Sequence, residues 1–170
     1  MKKNWIYEVI VTSGKNFINA APMGISTRNF RTIKMKTYKT SQTYENLIKS
    51  RKFIVNFTDD VGIFFKSLKT RRIKLSDSYL KCMVTKIKYL PDGAEICGKI
   101  VDYNIKEEIE LINRANYLVV ESLIKLTKIP ILKDSKSQKE DILENYRVVR
   151  KVAPKSKYEN MMKKIISEIK

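Results

Sequence analysis

Histidine is absent from this 170-residue chain. That excludes Ser-His-Asp and Cys-His catalysis and the usual histidine-containing zinc sites. Cysteine is scarce, and Cys82 and Cys97 are too few for an all-cysteine tetrahedral metal site. Glycine (5) and proline (4) are sparse beside 43% apolar residues, a folded chain's profile rather than a disordered one's. No apolar run approaches the ~20 residues that span a bilayer, and Glu8 interrupts any N-terminal signal core. A soluble, cytoplasmic protein with no membrane partner is expected. Also missing is a GxGxxG fingerprint, so a nicotinamide could bind only transiently, as a substrate. What remains for chemistry is a cofactor, carboxylates, lysines or hydroxyls.

The two cysteines flank Leu90-Pro91-Asp92-Gly93-Ala94, a turn signal between two strands. With Leu90 opposite Glu95, Cys97 faces Lys88. At ~3.3 Å per residue that is roughly 20 Å from Cys82, beyond disulfide reach. Both thiols are expected to be reduced, as in a reducing compartment.

Positive charge is what the chain has in abundance: 35 Lys and Arg against 18 Asp and Glu, a formal +17. Such a balance attracts polyanions and phosphorylated ligands. The lysines are scattered, which equally fits a surface merely coated with them. A basic nucleic-acid-binding module is therefore one reading, with Phe30, Tyr38, Tyr79 and Tyr89 among the basic residues. Against it, there is no RRM signature, GXXG loop or zinc spacing.

Residues 5–12 are β-rich and end at the turn signal Ser13-Gly14-Lys15-Asn16. Residues 17–26 resume as a strand, and 33–38 alternate apolar with basic residues. Thr40 or Ser41 caps a helix over 42–50, and Thr58-Asp59-Asp60 caps another whose apolar face holds Val61, Phe64, Phe65 and Leu68. Strands follow at 53–57, 79–89 and 94–103. Six strands with two short helices predict an α+β fold, a largely antiparallel barrel. A mostly apolar helix over 113–128 completes a domain at 1–132. An appendage at 133–170 carries two amphipathic helices, one with Ile142, Leu143, Tyr146 and Val149. The other holds Tyr158, Met161, Met162, Ile165, Ile166 and Ile169, a stripe that reads as core or dimer face.

Two segments carry the chemistry. Asn19-Ala20-Ala21-Pro22-Met23-Gly24 is a strand of small residues in which Pro22 removes a ladder donor, so the strand is expected at an edge or bent. Small side chains let a flat ring approach the backbone. In Ser41-Gln42-Thr43-Tyr44-Glu45-Asn46-Leu47, a helix start offers unpaired N–H groups, the hydroxyls of Ser41 and Thr43, and the Asn46 amide about one turn on. Lys39 adds a point charge. Together they suggest a flavin mononucleotide (FMN) site, although Ser41 also reads as an ordinary cap and Asn46 as an exposed helix residue.

These two segments, with Val55-Asn56-Phe57-Thr58-Asp59-Asp60-Val61, resemble in order and spacing an archaeal family of unknown function within the FMN-binding split barrels, related to flavin reductases. Arg114-Ala115 and Val120-Glu121-Ser122-Leu123-Ile124 are similar to its later helix motif. The resemblance covers roughly residues 4–130. It implies that Ala21, Pro22, Met23 and Gly24 lie beside the isoalloxazine ring and that Ser41, Thr43 and Asn46 hold the phosphate. It assigns no role to Asn56 or Asp59. It further implies a homodimer in which Glu121 and Arg114 serve the partner's site. Lys125 and Lys128 stand where the family pattern has His and Arg, and Lys128 keeps the charge of a phosphate grip without its bidentate geometry. An NAD(P)H-dependent flavin reductase or related oxidoreductase is the activity implied, and a non-catalytic flavin carrier or sensor is the alternative.

Overall fold

A computed structural model describes residues 1–106, 110–132 and 134–169. The chain forms two compact units: Met1–Lys3 with Tyr7–Ile112, and Asn4–Ile6 with Asn113–Lys170.

The first unit is a barrel. Strands β1 (Tyr7–Ser13), β2 (Asn19–Ser26), β3 (Thr32–Tyr38), β4 (Lys52–Asn56), β5 (Tyr79–Leu90) and β6 (Gly93–Asn104) close in the order β1-β2-β3-β6-β5-β4, with every neighbouring pair antiparallel. Helices α1 (Gln42–Ser50) and α2 (Val61–Thr70) interrupt the strands where capping residues announce them. This is the antiparallel α+β barrel that the sequence predicts.

Period-two alternation sorts the strand side chains. The pairs Val11↔Val55, Val55↔Leu80, Phe53↔Cys82, Ile25↔Met35 and Met35↔Ile96 put these residues on one face. All of them are buried, so that face is the interior. Each large apolar side chain sequestered there contributes about 1.5–3 kcal/mol. Burial also pushes the Cys82 thiol up to about 12, so it stays protonated and inert at neutral pH. Both cysteines are free.

The β5–β6 hairpin is tighter than the sequence reading set it. Leu90 pairs with Gly93, not Glu95, across a two-residue turn, and that register brings Cys97 opposite Lys86. Gly93 makes the tight geometry feasible, because a Cβ there would collide with the Thr37 carbonyl oxygen of β3. Gly98 serves packing instead: a Cβ would lie 2.5 Å from the ring of Phe53.

β2 is not an edge strand. β2 is inside the closed barrel and pairs with β1 along its whole length, from Tyr7↔Ile25 to Ser13↔Asn19. Its pairing with β3, however, is confined to Ile25↔Met35 and Ser26↔Lys34. From Asn19 to Gly24 that side of the strand has no ladder. Pro22 is tolerated inside a barrel strand for this reason.

A second correction concerns α2. Val61, Phe65 and Leu68 are exposed, and the helix packs inward through the half-buried Ile63 and Phe64 and the buried Ser67.

The second unit packs α3 (Ala115–Lys128), α4 (Lys136–Val152) and α5 (Lys157–Glu168) around Ala115, Val119, Ile142, Val149, Met162 and Ile165. The sequence reading places helix 113–128 with the barrel and divides the chain after 132. By its contacts this helix groups with α4 and α5, because its buried positions face theirs. Asn113 ties the unit together: its Nδ2 donates to the carbonyls of Ile6 (2.8 Å) and Val152 (3.0 Å), and its Oδ1 accepts from Ala115 N (2.9 Å). In the α5 stripe Met162, Ile165 and Ile169 are buried, whereas Met161 is exposed. Ser156 caps α5 by accepting from Glu159 N (3.2 Å), and the Glu159 carboxylate accepts from Lys155 N (2.7 Å).

Gly98→Ala should lower stability by about 1–3 kcal/mol by overpacking Phe53. Gly93→Ala should cost more, since the obstacle is backbone, and thermal unfolding of the two variants checks the order. The Lys155 N–H, then Lys163, hold the Glu159 carboxyl below its usual range. A depressed folded-state value contributes stability that is present above the unfolded pKa and lost as pH falls through the folded one. Glu159→Gln should therefore be less stable than the parent at neutral pH, and the difference should vanish as pH falls through the depressed folded-state value in pH-resolved melting curves.

Candidate functional site

The unladdered stretch of β2 is where the chemistry-bearing residues gather. Ala20 N–H points away from β1 and donates to the Arg71 carbonyl at the end of α2 (2.7 Å). Alternation puts Pro22 and Gly24 on the same open edge. Pro22 offers no N–H there, and Ala21, Pro22, Met23 and Gly24 are all partly exposed. The result is a length of backbone edge bordered by small side chains and not occupied by a neighbouring strand.

At its N-terminal end β2 meets α1 through a buried polar knot. Asn19 Nδ2 donates to Thr43 Oγ1 (3.0 Å) and to Ser13 Oγ (3.3 Å), and Asn46 Nδ2 donates to the same Ser13 oxygen (3.3 Å). Ser13 is fully buried, and Thr43 and Asn19 nearly so. Gln42 Nε2 donates to Asn46 Oδ1 (3.4 Å) at the exposed rim. Because amides donate into both hydroxyl oxygens, the O–H groups of Thr43 and Ser13 are left as donors. Gly14 makes room for this arrangement. It has φ +87°, and a Cβ on it would lie 2.8 Å from Asn46 Nδ2.

Of the residues assigned to a phosphate, Thr43 and Asn46 share this knot. Ser41 is the cap of α1: its Oγ accepts from Tyr44 N (3.2 Å) and donates to the Tyr38 carbonyl (2.7 Å). Lys39 is exposed two residues before it. Ala21 to Gly24 lie further along the strand that Asn19 begins. Lys128 is in the last turn of α3, in the helical unit. Lys125 is engaged there, with Asp141 at 2.8 Å and Glu121 at 3.6 Å. The Asp141 hydrogen bond holds its ammonium above the ordinary lysine range.

Sequence reasoning missed Ser13 and Asn19 as partners of Thr43 and Asn46. The only available signal was polar residues on both sides of the first turn, and the register Ser13↔Asn19 that joins them is a property of the folded sheet.

Asn56, left without a role by the motif resemblance, is fully buried. Its Nδ2 donates to the Ile10 carbonyl (3.1 Å) and Thr12 Oγ1 (3.3 Å), and its Oδ1 accepts from Ser76 N (3.2 Å). It thereby locks β4 to β1 and anchors the segment before β5. Asp59 lines a cavity of about 440 Å³ with Asn56, Thr58, Ser76 and Lys106, while Asp60 caps α2 through Gly62 N (2.7 Å). A second cavity, about 420 Å³ and largely apolar, is lined by Ile33, Phe57, Leu80, Ile100 and Leu111. Neither includes the strand residues 21–24 or the start of α1.

Several aromatic rings that could stack nucleobases each have one of the chain's own lysines beside them, although Phe30 and Tyr38 stay exposed. Lys36 Nζ is 5.0 Å from the Tyr38 ring, Lys81 5.3 Å from Tyr79 and Lys3 5.8 Å from Phe30.

Two family models match the chain: "Protein of unknown function (DUF447) N-terminal domain" over residues 7–121 and "Protein of unknown function (DUF447)" over 113–167. Among solved structures, an FMN-bound DUF447 protein from Methanosarcina mazei is 19% identical with a TM-score of 0.50, covering 98% of this chain and 96% of that one. An NADH:FAD oxidoreductase from Streptomyces globisporus is 11% identical with a TM-score of 0.50, over 64% of this chain and 81% of that one. At these identities the likeness is one of fold. The chain belongs to the DUF447 family.

The knot can be tested without any ligand. Ser13→Ala removes the oxygen shared by two amide donors and should cost about 1–3 kcal/mol of stability in chemical denaturation, since Asn19 and Asn46 each lose a partner.

Proposed function

We propose that this member of the DUF447 family is an FMN-binding barrel protein, with the phosphate at the first turn of α1 and the ring along the open edge of β2. The observation that carries the reading is the juxtaposition on one strand. The unladdered backbone of residues 20–24 begins immediately after Asn19, the residue that holds Thr43 in place. A flavin mononucleotide needs just such a pairing: a flat, weakly obstructed edge for the ring, next to fixed donors for a doubly charged group.

The residues present fit the cofactor. Thr43 is held by Asn19 with its own hydroxyl left to donate, and the first N–H groups of α1 have no helical acceptor. Asn46 is oriented by Ser13 on one side and Gln42 on the other. Ser41 contributes by fixing the helix start. Lys39 brings positive charge to the same end of the helix, and the formal +17 of the chain favours an anionic ligand from a distance. Ala21 and Gly24 keep side-chain bulk away from the edge, and Pro22 holds the strand there without offering a competing donor. Lys128, assigned to the phosphate by the motif resemblance, is a further candidate for it by its charge alone. The likeness in fold to the FMN-bound Methanosarcina mazei protein supports the reading without assigning any contact.

When bound, FMN supplies hydride or electron transfer at its central ring. The protein's share is to bind, orient and shield it. A homodimer completes the reading, because Ala21 to Gly24 are partly exposed on a single chain and a second copy would enclose them. Of the activities open to such a site, reduction of flavin by NAD(P)H is the one we put forward. It is supported by the fold shared with the Streptomyces globisporus oxidoreductase.

The visible absorption spectrum of purified protein and an FMN titration followed by flavin fluorescence quenching test the cofactor directly. Saturable quenching with one site per chain is expected, and a colourless protein indifferent to FMN would overturn the proposal. Thr43→Ala with Asn46→Ala should abolish FMN retention while the circular dichroism of the barrel is kept, since Asn19 retains Ser13 as a partner. NADH or NADPH oxidation should exceed a free-FMN control, and a rate equal to the control would leave a carrier or sensor in place of a reductase.

A further inference from the structure

We propose that α2 and the basic segment after it dock this protein on an anionic membrane surface, with the helix lying flat in the lipid interface. The inference is independent of the flavin reading.

One side of α2 is committed to the barrel. The Arg71 carbonyl accepts from Ala20 N, Ser67 is fully buried, and Ile63 and Phe64 are half-buried. The other side is apolar and faces outward: Val61 is 74% exposed, Phe65 61% and Leu68 64%. Spacings of four and three residues place these three on one stripe of the helix. An outward helix face normally carries charge. Here it carries Val61, Phe65 and Leu68, held out as a ridge by the packing of the opposite side.

The charge around the ridge names the partner. From Val61 to Ser76 there are five basic residues (Lys66, Lys69, Arg71, Arg72 and Lys74) and no acidic one. Lys69 Nζ stands 5.5 Å from the Phe65 ring, so a cation sits at the rim of the stripe. An apolar stripe bordered by cations along the helix, with acidic residues only at its start (Asp59 and Asp60), is the chemistry of a helix that buries its stripe at the acyl boundary while its lysines reach anionic headgroups. A polynucleotide would satisfy the cations but offers nothing to Val61 or Leu68. A second copy of this chain would bring the same cationic border against this one. The expectation of no membrane partner rests on the missing span, and among the described residues no helix is long and apolar enough to cross a membrane. An interfacial helix requires no such length.

The experiment is co-sedimentation of the full chain with vesicles of phosphatidylcholine alone and of phosphatidylcholine with about one third phosphatidylglycerol. Binding to the anionic vesicles only, weakened by salt, is expected. Lys66→Gln with Lys69→Gln should lower the partition coefficient about 30-fold. Phe65→Ser with Leu68→Ser should abolish binding, with both variants keeping the parent's melting temperature to within a few degrees, as exposed positions should. No binding to phosphatidylglycerol vesicles would overturn the proposal, as would equal binding by the parent and both variants. If light scattering shows an oligomer that Phe65→Ser with Leu68→Ser dissociates, the ridge is a subunit interface instead. If the parent ignores vesicles but binds a single-stranded oligonucleotide, and loses it only in the lysine variant, the surface belongs to nucleic acid.

Discussion

The structure turns on how little β2 and β3 share. Closing six strands into a barrel requires every strand to have two neighbours, and β2 meets the requirement on its second side with only two residue pairs. Everything N-terminal to Ile25 is consequently strand on one side and open edge on the other. An open edge inside a barrel carries backbone polar groups that must be satisfied by something other than a ladder. The chain meets part of that demand with α2, whose last carbonyl takes the Ala20 N–H, and part by placing proline, which has no N–H, at Pro22. The remainder is unladdered backbone, the edge that the proposed function gives to the ring. A continuous β2–β3 ladder would close it.

The polar knot depends on that same geometry. Ser13 and Asn19 are opposite one another because β1 and β2 run in register to their shared end, and the short turn between them delivers Gly14 to the one position where a side chain would displace Asn46. A largely buried cluster of two hydroxyls and two amides, with Asn46 at its part-exposed margin, is costly unless every member is paired. Here the pairing direction is also informative, since amide N–H groups donate into hydroxyl oxygens and leave O–H groups over. The atoms that tie β1 and β2 to α1 are thus the same ones that the proposed phosphate site would use.

Much of this was legible in the sequence, for identifiable reasons. Alternation in 33–38 and the hydroxyl or carboxylate caps at Ser41 and Asp60 are local signals, so helices and strands fell where expected. Pro22 announced an interrupted ladder, although not that the interruption would be on one side of an interior strand. What could not be read was long-range. The Ser13–Asn19–Thr43–Asn46 knot depends on sheet register, and the tight Leu90↔Gly93 pairing depends on the approach of the Thr37 carbonyl from β3. The outward turn of Phe65 was illegible for a different reason. Periodicity shows that a helix has an apolar stripe, but not which side of the helix finds a partner. In α2, Ile63, Phe64 and Ser67 meet the barrel, and the more conspicuous stripe is left facing away.

The same asymmetry explains why a cofactor is easier to infer here than a reaction. Holding a phosphate and a ring needs donors, an edge and small side chains, all of which the fold must build into its own backbone. Moving a hydride between flavin and a second molecule requires very little of the protein, because the reactive atoms belong to the ligands. A chain without histidine, whose buried thiol is held in its protonated form, brings few acid–base groups of its own. Selection among electron donors would therefore act on shape and charge around the open edge, at residues that tolerate exchange without disturbing the barrel. The architecture that makes FMN legible is by construction indifferent to what the flavin does next.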